Sequence, residues 1–329
     1  MEVKCLEKLK EVTEQEWSEV NEFNREITDE FLQQAHLSPQ TLNQYKSSLK
    51  LFFRWVKESC GNKSITDLKP RDALRYQNFL MGRGLSSSAV KFKRSSVSSL
   101  CGYIELYYSD EFPLFRNIYN KKIPNPAVDK RHKKEPLTEE EFSMLIDELK
   151  QREEWQMVAY LLFTYITGCR RGESAQLLRE TVRYKKAIDP KTKEEKGYYL
   201  TSDIRCKGRG TAGKIRRFPF DDVAMVALRK WNEVRGEDDC EYMFVKKTKE
   251  GKVTPLAAGA FNYWCSEIFS EIVGRRVHPH LLRSSRATNL ALSSNKSIDA
   301  IQSLLGHNSP DTTKIYIVKD NDDEIDELF

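Results

Sequence analysis

The stretch KKIPNPAVDKRHKKEP, residues 121–136, constrains this chain more than any other segment. It holds three prolines and six lysines or arginines among few apolar residues, a composition typical of a linker between domains. A chain of 329 residues is long enough for about two domains, each with a core of its own. Directly after the stretch, Thr138 and Glu141 have the spacing of a helix capping box. The sequence therefore predicts a linker at 121–136 and a second domain that opens with a helix.

The segment before the linker has the apolar spacing of helices. Residues 1–24 carry a charged helical pattern with few apolar positions, which predicts an acidic extension that is either a peripheral helix or mobile. From residue 38, Ser and Pro at a helix start precede apolar residues at three- and four-residue spacing. Two further helices follow, one closing at Gly82 or Gly84 and one capped by Ser87 or Ser88. We predict an all-helical domain over residues 25–120.

The segment after the linker mixes two periodicities. Residues 155–167 are apolar on most faces and end at Gly168, which predicts a core helix. Short segments with turn signals at 183–220 predict a small antiparallel sheet. Helices are predicted again at 222–234, 257–273, 281–293 and 297–305. The predicted fold is mainly α: an all-helical domain and a mixed α+β domain at 137–318, followed by an acidic tail at 319–329.

Charge is distributed unevenly along the chain. Residues 37–135 hold 19 basic and 8 acidic side chains, whereas residues 1–36 hold 4 basic and 10 acidic ones. A basic body between acidic ends favours a polyanionic partner, although a merely solvated basic surface has the same composition. The candidates for DNA contact lie on the third helix and in the linker: Lys91, Lys93, Arg94, Lys130, Arg131, Lys133 and Lys134.

Several other classes of protein are disfavoured. No apolar run approaches the roughly 20 residues that cross a bilayer, and the start lacks the apolar core of a secretory signal. Seven scattered cysteines without Cys-x-x-Cys spacing indicate reduced thiols rather than a disulfide framework or a zinc site. We therefore expect a cytoplasmic protein without a membrane partner.

Four short segments of the second domain carry the chemistry. They are TGCRRGES at 167–174, CKGRG at 206–210, HLLRSSRAT at 280–288 and LLGHNSPDTTKIY at 304–316. Each alone is a weak signal, because a helix-ending glycine followed by arginine, or a Gly-His pair, is common. Their order and spacing are specific.

Together these segments resemble the tyrosine recombinases, or phage integrases, a family that includes the Xer and lambda-type enzymes. The resemblance covers residues 29–320, including the start of the first domain and NPA at 125–127 in the linker. The positions that match the family's motif are Arg170 with Glu173, Lys207, His280 with Arg283, His307, and Tyr316. Lys214 competes with Lys207, because GRGTAG lengthens the hairpin. Ser284 stands where many relatives have histidine, and His278 is expected to be structural.

The resemblance implies a reaction on DNA. Tyr316 would attack a phosphodiester and form a 3′-phosphotyrosyl intermediate, with Arg170 and Arg283 holding the phosphate. It further implies His280 as general base, His307 as a hydrogen-bond donor, Lys207 as general acid and Glu173 as an orienting carboxylate. Two arginines suit this chemistry, since their planar forks bind phosphate oxygens at any working pH. No metal or other cofactor is expected.

The resemblance also implies partners. They are double-stranded DNA, a homotetramer on two DNA sites, and an accessory DNA-bending or directionality factor, in a nucleoid-associated protein whose acidic tail docks on a neighbouring protomer. Integration or excision of a mobile element is the expected use, and Xer-like resolution of dimers is the alternative. A catalytically inactive DNA-binding relative and a type IB topoisomerase are the other readings of the same residues.

Overall fold

The computed structural model describes residues 9–119, 123–127, 135–208, 213–292 and 297–306. It divides the chain into two compact units, with the described residues up to 127 in the first, and residues 135–207 and those from 213 onward in the second. Each unit has its own hydrophobic core. No helix among the described residues is long and apolar enough to cross a membrane.

The described part of the first unit is helical. Its helices are α1 (Glu14–Ser18), α2 (Glu22–Phe31), α3 (Pro39–Cys60), α4 (Pro70–Gly82) and α5 (Ser87–Tyr107). The Ser38 hydroxyl accepts from Thr41 N at the start of α3, and Gly61 ends the helix in the left-handed conformation. The cap of α5 is Ser86, one residue earlier than predicted. Phe52, Phe53 and Tyr76 form an aromatic centre between α3 and α4.

The acidic N-terminal segment packs against α3 over its described residues. Trp17 is buried 6.3 Å from the Phe53 ring, with the Lys50 ammonium over its indole. Lys50 pairs with Glu14, and Lys57 pairs with Glu19. Of the two predicted alternatives, a peripheral helix and a mobile extension, the first describes residues 9–24.

The described part of the second unit is mixed. Its helices are α6 (Glu139–Gln151), α7 (Trp155–Thr167), α8 (Arg171–Ser174), α9 (Asp222–Arg235), α10 (Ala258–Tyr263), α11 (Ser270–Val273), α12 (Pro279–Leu292) and α13 (Ile298–Leu305). A π-helical turn at Trp264–Phe269 joins α10 to α11, so the segment predicted as one helix has three parts. The apolar α7 is the centre of the core, as its sequence predicted.

Short strands pair antiparallel in this unit. They are β1 (Tyr199–Leu200), β2 (Ile204–Cys206), β3 (Lys214–Arg216), β4 (Pro219–Phe220), β5 (Val245–Lys247) and β6 (Val253–Pro255). β1 pairs with β4, and β2 pairs with β3. The β5–β6 hairpin was not predicted, because three-residue strands with two exposed lysines show no alternation of apolar and polar residues. The predicted fold class, mainly α with a small antiparallel sheet region, is confirmed.

Candidate active site

Arg170 is placed by the turn between α7 and α8. Gly168 ends α7 with φ +61°, and a Cβ at this position would lie 2.6 Å from Leu305 Cδ2, so only glycine fits. Two residues later, Arg170 N donates to Glu173 Oε2 at 2.6 Å and its guanidinium to Glu173 Oε1 at 3.0 Å. The Glu173 carboxylate is only 3% exposed, whereas the Arg170 side chain is 27% exposed. The buried Glu173 carboxylate therefore binds both the backbone and the side chain of Arg170.

Arg283 lies on α12 and joins the ends of two other helices. Its guanidinium donates to Gly168 O, at the end of α7, and at 2.8 Å to Leu305 O, at the end of α13. Carbonyls at a helix C-terminus have no partner within the helix and carry partial negative charge. The side chain has no exposed surface. Both of these acceptors are neutral carbonyls.

His280 lies one turn before Arg283 on the same helix, with its side chain accessible to solvent. Partial burial of the ring lowers the pKa of His280 from its ordinary value, and the charges of Arg170 and Arg283 contribute to the same shift. His280 therefore lies among the predicted phosphate-binding arginines and favours its neutral, proton-accepting form. His278 instead accepts from Leu281 N through Nδ1 at 3.1 Å, which makes it a cap of α12.

Lys207 and Lys214 lie at the same end of the β2–β3 hairpin. Lys207 follows Cys206, the last residue of β2, and Lys214 is the partner of Cys206 in the ladder. Both side chains are exposed. The hairpin is next to the Arg170 turn, because Gln176, just after α8, bonds to the Arg205 backbone in β2. Burial and the nearby Glu173 carboxylate raise the pKa of the Cys206 thiol to about 12. The structure thus brings together Arg170, Glu173, His280, Arg283 and the hairpin that carries the two candidate lysines.

Two side chains that fix the hairpin were missed in the sequence. Gln176, just after α8, accepts from Arg205 N at 3.0 Å and donates to Arg205 O at 2.9 Å, so it binds β2 as a neighbouring strand would. Arg216, in β3, donates to the carbonyls that end α13. No motif marks either residue, since both lie among similar polar residues and acquire their partners only in the fold. Ser284 bonds back to His280 O at 3.0 Å and to Leu281 O within its own helix.

Arg94, one of the predicted DNA contacts, is not on the surface. Its side chain is buried, donating at 2.5 Å to Gln77 Oε1, at 2.9 Å to Pro124 O and at 3.2 Å to Ile123 O. Its guanidinium also lies 5.2 Å from the centre of the Tyr119 ring. The structure contradicts the prediction for Arg94, because a helix that is basic in sequence still turns one of its faces inward. Lys91 is exposed and Lys93 is half-buried, with burial lowering the pKa of Lys93.

The remaining predicted residues lie outside the described part of the chain. In the active site they are His307 and Tyr316, and Gly306 is the last described residue before them. In the linker they are Lys130, Arg131, Lys133 and Lys134. The acidic tail at 319–329 lies outside it as well.

The chain matches two family models. Residues 135–322 match the phage integrase family, and residues 28–105 match the phage integrase N-terminal SAM-like domain. The SPbeta prophage-derived recombinase-like protein YomM of Bacillus subtilis strain 168 is 33% identical over 327 residues, which cover 98% of this chain and 95% of that protein. Tyrosine recombinase XerA of Thermococcus onnurineus strain NA1 is 27% identical over 281 residues, covering 85% of this chain and 84% of that protein.

The fold has solved counterparts. A crystal structure of the XerH site-specific recombinase bound to palindromic difH substrate has a TM-score of 0.65 and 17% identity, covering 98% of this chain and 97% of that one. Because the phage integrase family model matches more than half of the chain and a recombinase-like relative is 33% identical over 98% of it, the chain belongs to the phage integrase family, the family of the tyrosine recombinases.

Proposed function

We propose that this protein is a site-specific tyrosine recombinase, which cleaves and rejoins double-stranded DNA through a 3′-phosphotyrosyl bond to Tyr316. The observation that supports this most is the convergence of Arg170, His280 and Arg283, although Arg170 and Arg283 are more than 100 residues apart in sequence. Arg283 donates to Gly168 O, two residues before Arg170, and burial and the charges of both arginines lower the pKa of His280. Glu173 pairs with Arg170, but two arginines face this one carboxylate, so the cluster keeps positive charge that favours a bound anion. A DNA phosphate is an anion that fits this cluster.

Strand cleavage then proceeds by one displacement at phosphorus. The Tyr316 hydroxyl loses its proton to His280 and forms a bond to the phosphorus atom, while the bond to the 5′-oxygen breaks. Lys207 gives that oxygen its proton, and Lys214 is the alternative donor. Arg170 and Arg283 stabilise the charge that develops on the non-bridging oxygens, with His307 as a further donor. Rejoining is the reverse reaction with a new 5′-hydroxyl, so the phosphodiester bond energy is conserved.

Burial of Arg283 adds a requirement to this reaction. Its guanidinium has no exposed surface in the chain without DNA, whereas Arg170 is partly exposed. A phosphate can reach Arg170 first, and contact with Arg283 requires the surrounding residues to rearrange. We infer that DNA binding to Arg170 precedes completion of the active site.

Integration or excision of a mobile element is the biological use that we favour over Xer-like resolution of dimers. The relative with 33% identity over 98% of this chain bears the name of a prophage-derived recombinase-like protein. In either use we expect four protomers on two DNA sites, and an accessory DNA-bending or directionality factor. Such a protein would be cytoplasmic and associated with the nucleoid.

Covalent capture of DNA in cells tests the proposal. Tagged wild-type protein and Tyr316→Phe are purified under denaturing conditions, and the attached DNA is sequenced. We expect attached DNA from the wild type alone, with ends at discrete positions. Ends that flank a mobile element support integration or excision, and ends at a single chromosomal site without such an element support dimer resolution.

Other outcomes would contradict the proposal. Equal recovery from the wild type and Tyr316→Phe would move the nucleophile to another residue. If neither protein yields attached DNA, even on a nicked substrate from which the cleaved fragment diffuses away, the result would favour the alternative of a catalytically inactive DNA-binding protein. Relaxation of supercoiled DNA that lacks the captured site would favour a topoisomerase.

A further inference from the structure

Arg216 binds the end of the helix that leads to His307. From β3, its Nη1 donates to Leu305 O at 3.0 Å, and its Nη2 donates to Ser303 O at 3.0 Å and to Leu304 O at 3.1 Å. These carbonyls end α13 and cannot bond within the helix. The contact uses three of the five N–H donors of a guanidinium. One side chain of the hairpin thus caps almost the whole last turn of α13.

Two arginines donate hydrogen bonds to Leu305 O. It accepts from Arg216 and, at 2.8 Å, from Arg283, the predicted phosphate-binding residue of α12. Arg283 also holds Gly168 O, two residues before Arg170. The Leu305 carbonyl therefore connects the hairpin to Arg283. Because Arg283 also binds Gly168 O, it connects the hairpin indirectly to the turn that carries Arg170.

Gly306, which has no side chain, allows the Arg216 guanidinium to approach the backbone closely. It has φ +67°, and a Cβ at this position would lie 2.0 Å from Arg216 Nη1. The guanidinium therefore packs directly against the residue that precedes His307. The centre of the Phe218 ring lies 4.9 Å from Arg216 Cζ, and this ring also restricts the Arg216 side chain.

The hairpin itself is fixed at its other strand. Arg216 is the ladder partner of Ile204, and the adjacent Arg205 is bound by Gln176 beside α8. Movement of the lysine-bearing hairpin away from α8 would break the Gln176 bonds, and movement away from α13 would break the Arg216 bonds. The hairpin is thus a bridge between the turn that carries Arg170 and the helix that precedes His307.

We propose that Arg216 is a positioning residue for strand cleavage, which fixes the end of α13 and therefore the point from which the chain continues to His307 and Tyr316. This rests on the proposed function. Arg216 itself does not touch the reacting atoms; its role is to fix where the nucleophile segment begins. A displacement of about 1 Å far from the reacting atoms can lower a rate by about 10²-fold, which sets the scale of the expected effect.

The test compares Arg216→Ala with Arg217→Ala. Arg217 is the next residue in sequence, is 61% exposed and pairs with Asp203 at 2.7 Å, so its removal alters charge equally without touching α13. Single-turnover cleavage is measured on the DNA captured with the wild type, made once with a normal phosphodiester and once with a 5′-bridging phosphorothiolate. A thiolate leaves without a proton, so the second substrate bypasses the general acid only.

We expect Arg216→Ala to cleave both substrates about 10²-fold more slowly than the wild type at saturating enzyme, with DNA affinity unchanged and Arg217→Ala as fast as the wild type. Lys207→Ala, by contrast, should recover on the phosphorothiolate. Arg216→Lys retains the charge and one donor group, and should recover part of the rate. Because Arg216→Ala removes three hydrogen bonds, two of them partly buried, thermal unfolding is measured alongside. Arg216→Lys decides the question if the alanine variant does not fold.

Three results would overturn the inference. Cleavage by Arg216→Ala at the wild-type rate would show that α13 needs no cap from the hairpin. Full recovery of Arg216→Ala on the phosphorothiolate would mean that Arg216 acts only by positioning the general-acid lysine of the hairpin. A loss shared equally by Arg217→Ala would reduce the effect to net charge. Failure of the wild type itself to form a Tyr316 adduct would instead remove the proposed function.

Discussion

Each compact unit buries an arginine that the sequence placed among the functional candidates. Arg94 in the first unit donates to Gln77 and to the Ile123 and Pro124 carbonyls, and Arg283 in the second donates to the Gly168 and Leu305 carbonyls. By burial and by hydrogen bonding to neutral acceptors, the two are alike. Their neighbours differ.

Arg94 has an aromatic ring and a loop as neighbours, whereas Arg283 lies near His280, as does a second arginine, Arg170. Tyr119 lies against the Arg94 guanidinium. Arg283 and Arg170 both lie close enough to His280 for their charges to lower the pKa of its ring. Arg170 pairs with Glu173, but two arginines beside one carboxylate leave positive charge, which indicates an anion site. A single buried cation with an aromatic neighbour indicates structure.

The largest expected effect on activity is that of replacing Arg283, and it distinguishes Arg283 from Arg94. Arg283→Ala should lower single-turnover cleavage by about 10²–10³-fold, because it removes a donor aimed at the transition-state charge. Arg283→Lys keeps the charge but not the fork, and should remain slow. The comparison breaks if Arg94→Ala, measured per folded molecule on the same DNA, loses as much activity as Arg283→Ala.

The cationic neighbourhood of His280 is testable through pH. Partial burial and the nearby arginines lower the pKa of His280, so its neutral form persists below pH 6.5. As a general base it is active when unprotonated, and cleavage at subsaturating enzyme should fall about tenfold per pH unit only below that lowered pKa. A rate that already declines as the pH drops from 8 to 7 would mean that His280 is not the base or that its surroundings are not cationic. The His280 resonance in an NMR titration gives the value independently.

Arg94 should matter for stability instead. Arg94→Ala leaves the buried Gln77 amide oxygen without its donor, and the unfolding free energy of the first unit should fall by about 1–3 kcal/mol in urea denaturation. The salt dependence of DNA binding should not change, whereas the exposed Lys91→Ala should reduce its logarithmic slope by about 1. An equal reduction in slope by Arg94→Ala would restore Arg94 as a phosphate contact.

The smallest effect is expected for charges that are paired on the surface. Lys57 on α3 pairs with Glu19, whose side chain is half exposed, and such pairs contribute little to stability because water screens them. Glu19→Gln should therefore leave the unfolding midpoint nearly unchanged. A large loss would mean that the acidic segment is held on α3 by charge rather than by buried Trp17.

Much of this protein followed from its sequence because the signals are local. Ser38 with Pro39, Thr138 with Glu141, and the apolar run before Gly168 each specify a helix boundary through groups a few residues apart. The site motifs likewise predicted Arg170, His280 and Arg283 as members of one site, and the structure places them together. The β5–β6 hairpin escaped prediction, since its pairing partners, not its residue types, define it.

What only the tertiary structure decided is which side of each element faces inward. The sequence determined the composition of α5 but not that Arg94 turns away from Lys91, and it gave no means of choosing Arg216 over Arg217. Both distinctions depend on partners that are distant in the chain: the Ile123 and Pro124 carbonyls for Arg94, and the end of α13 for Arg216. Caps and periodicity are properties of short segments and can be read from them. The role of a buried cation depends on the carbonyls, rings and charges that folding brings around it.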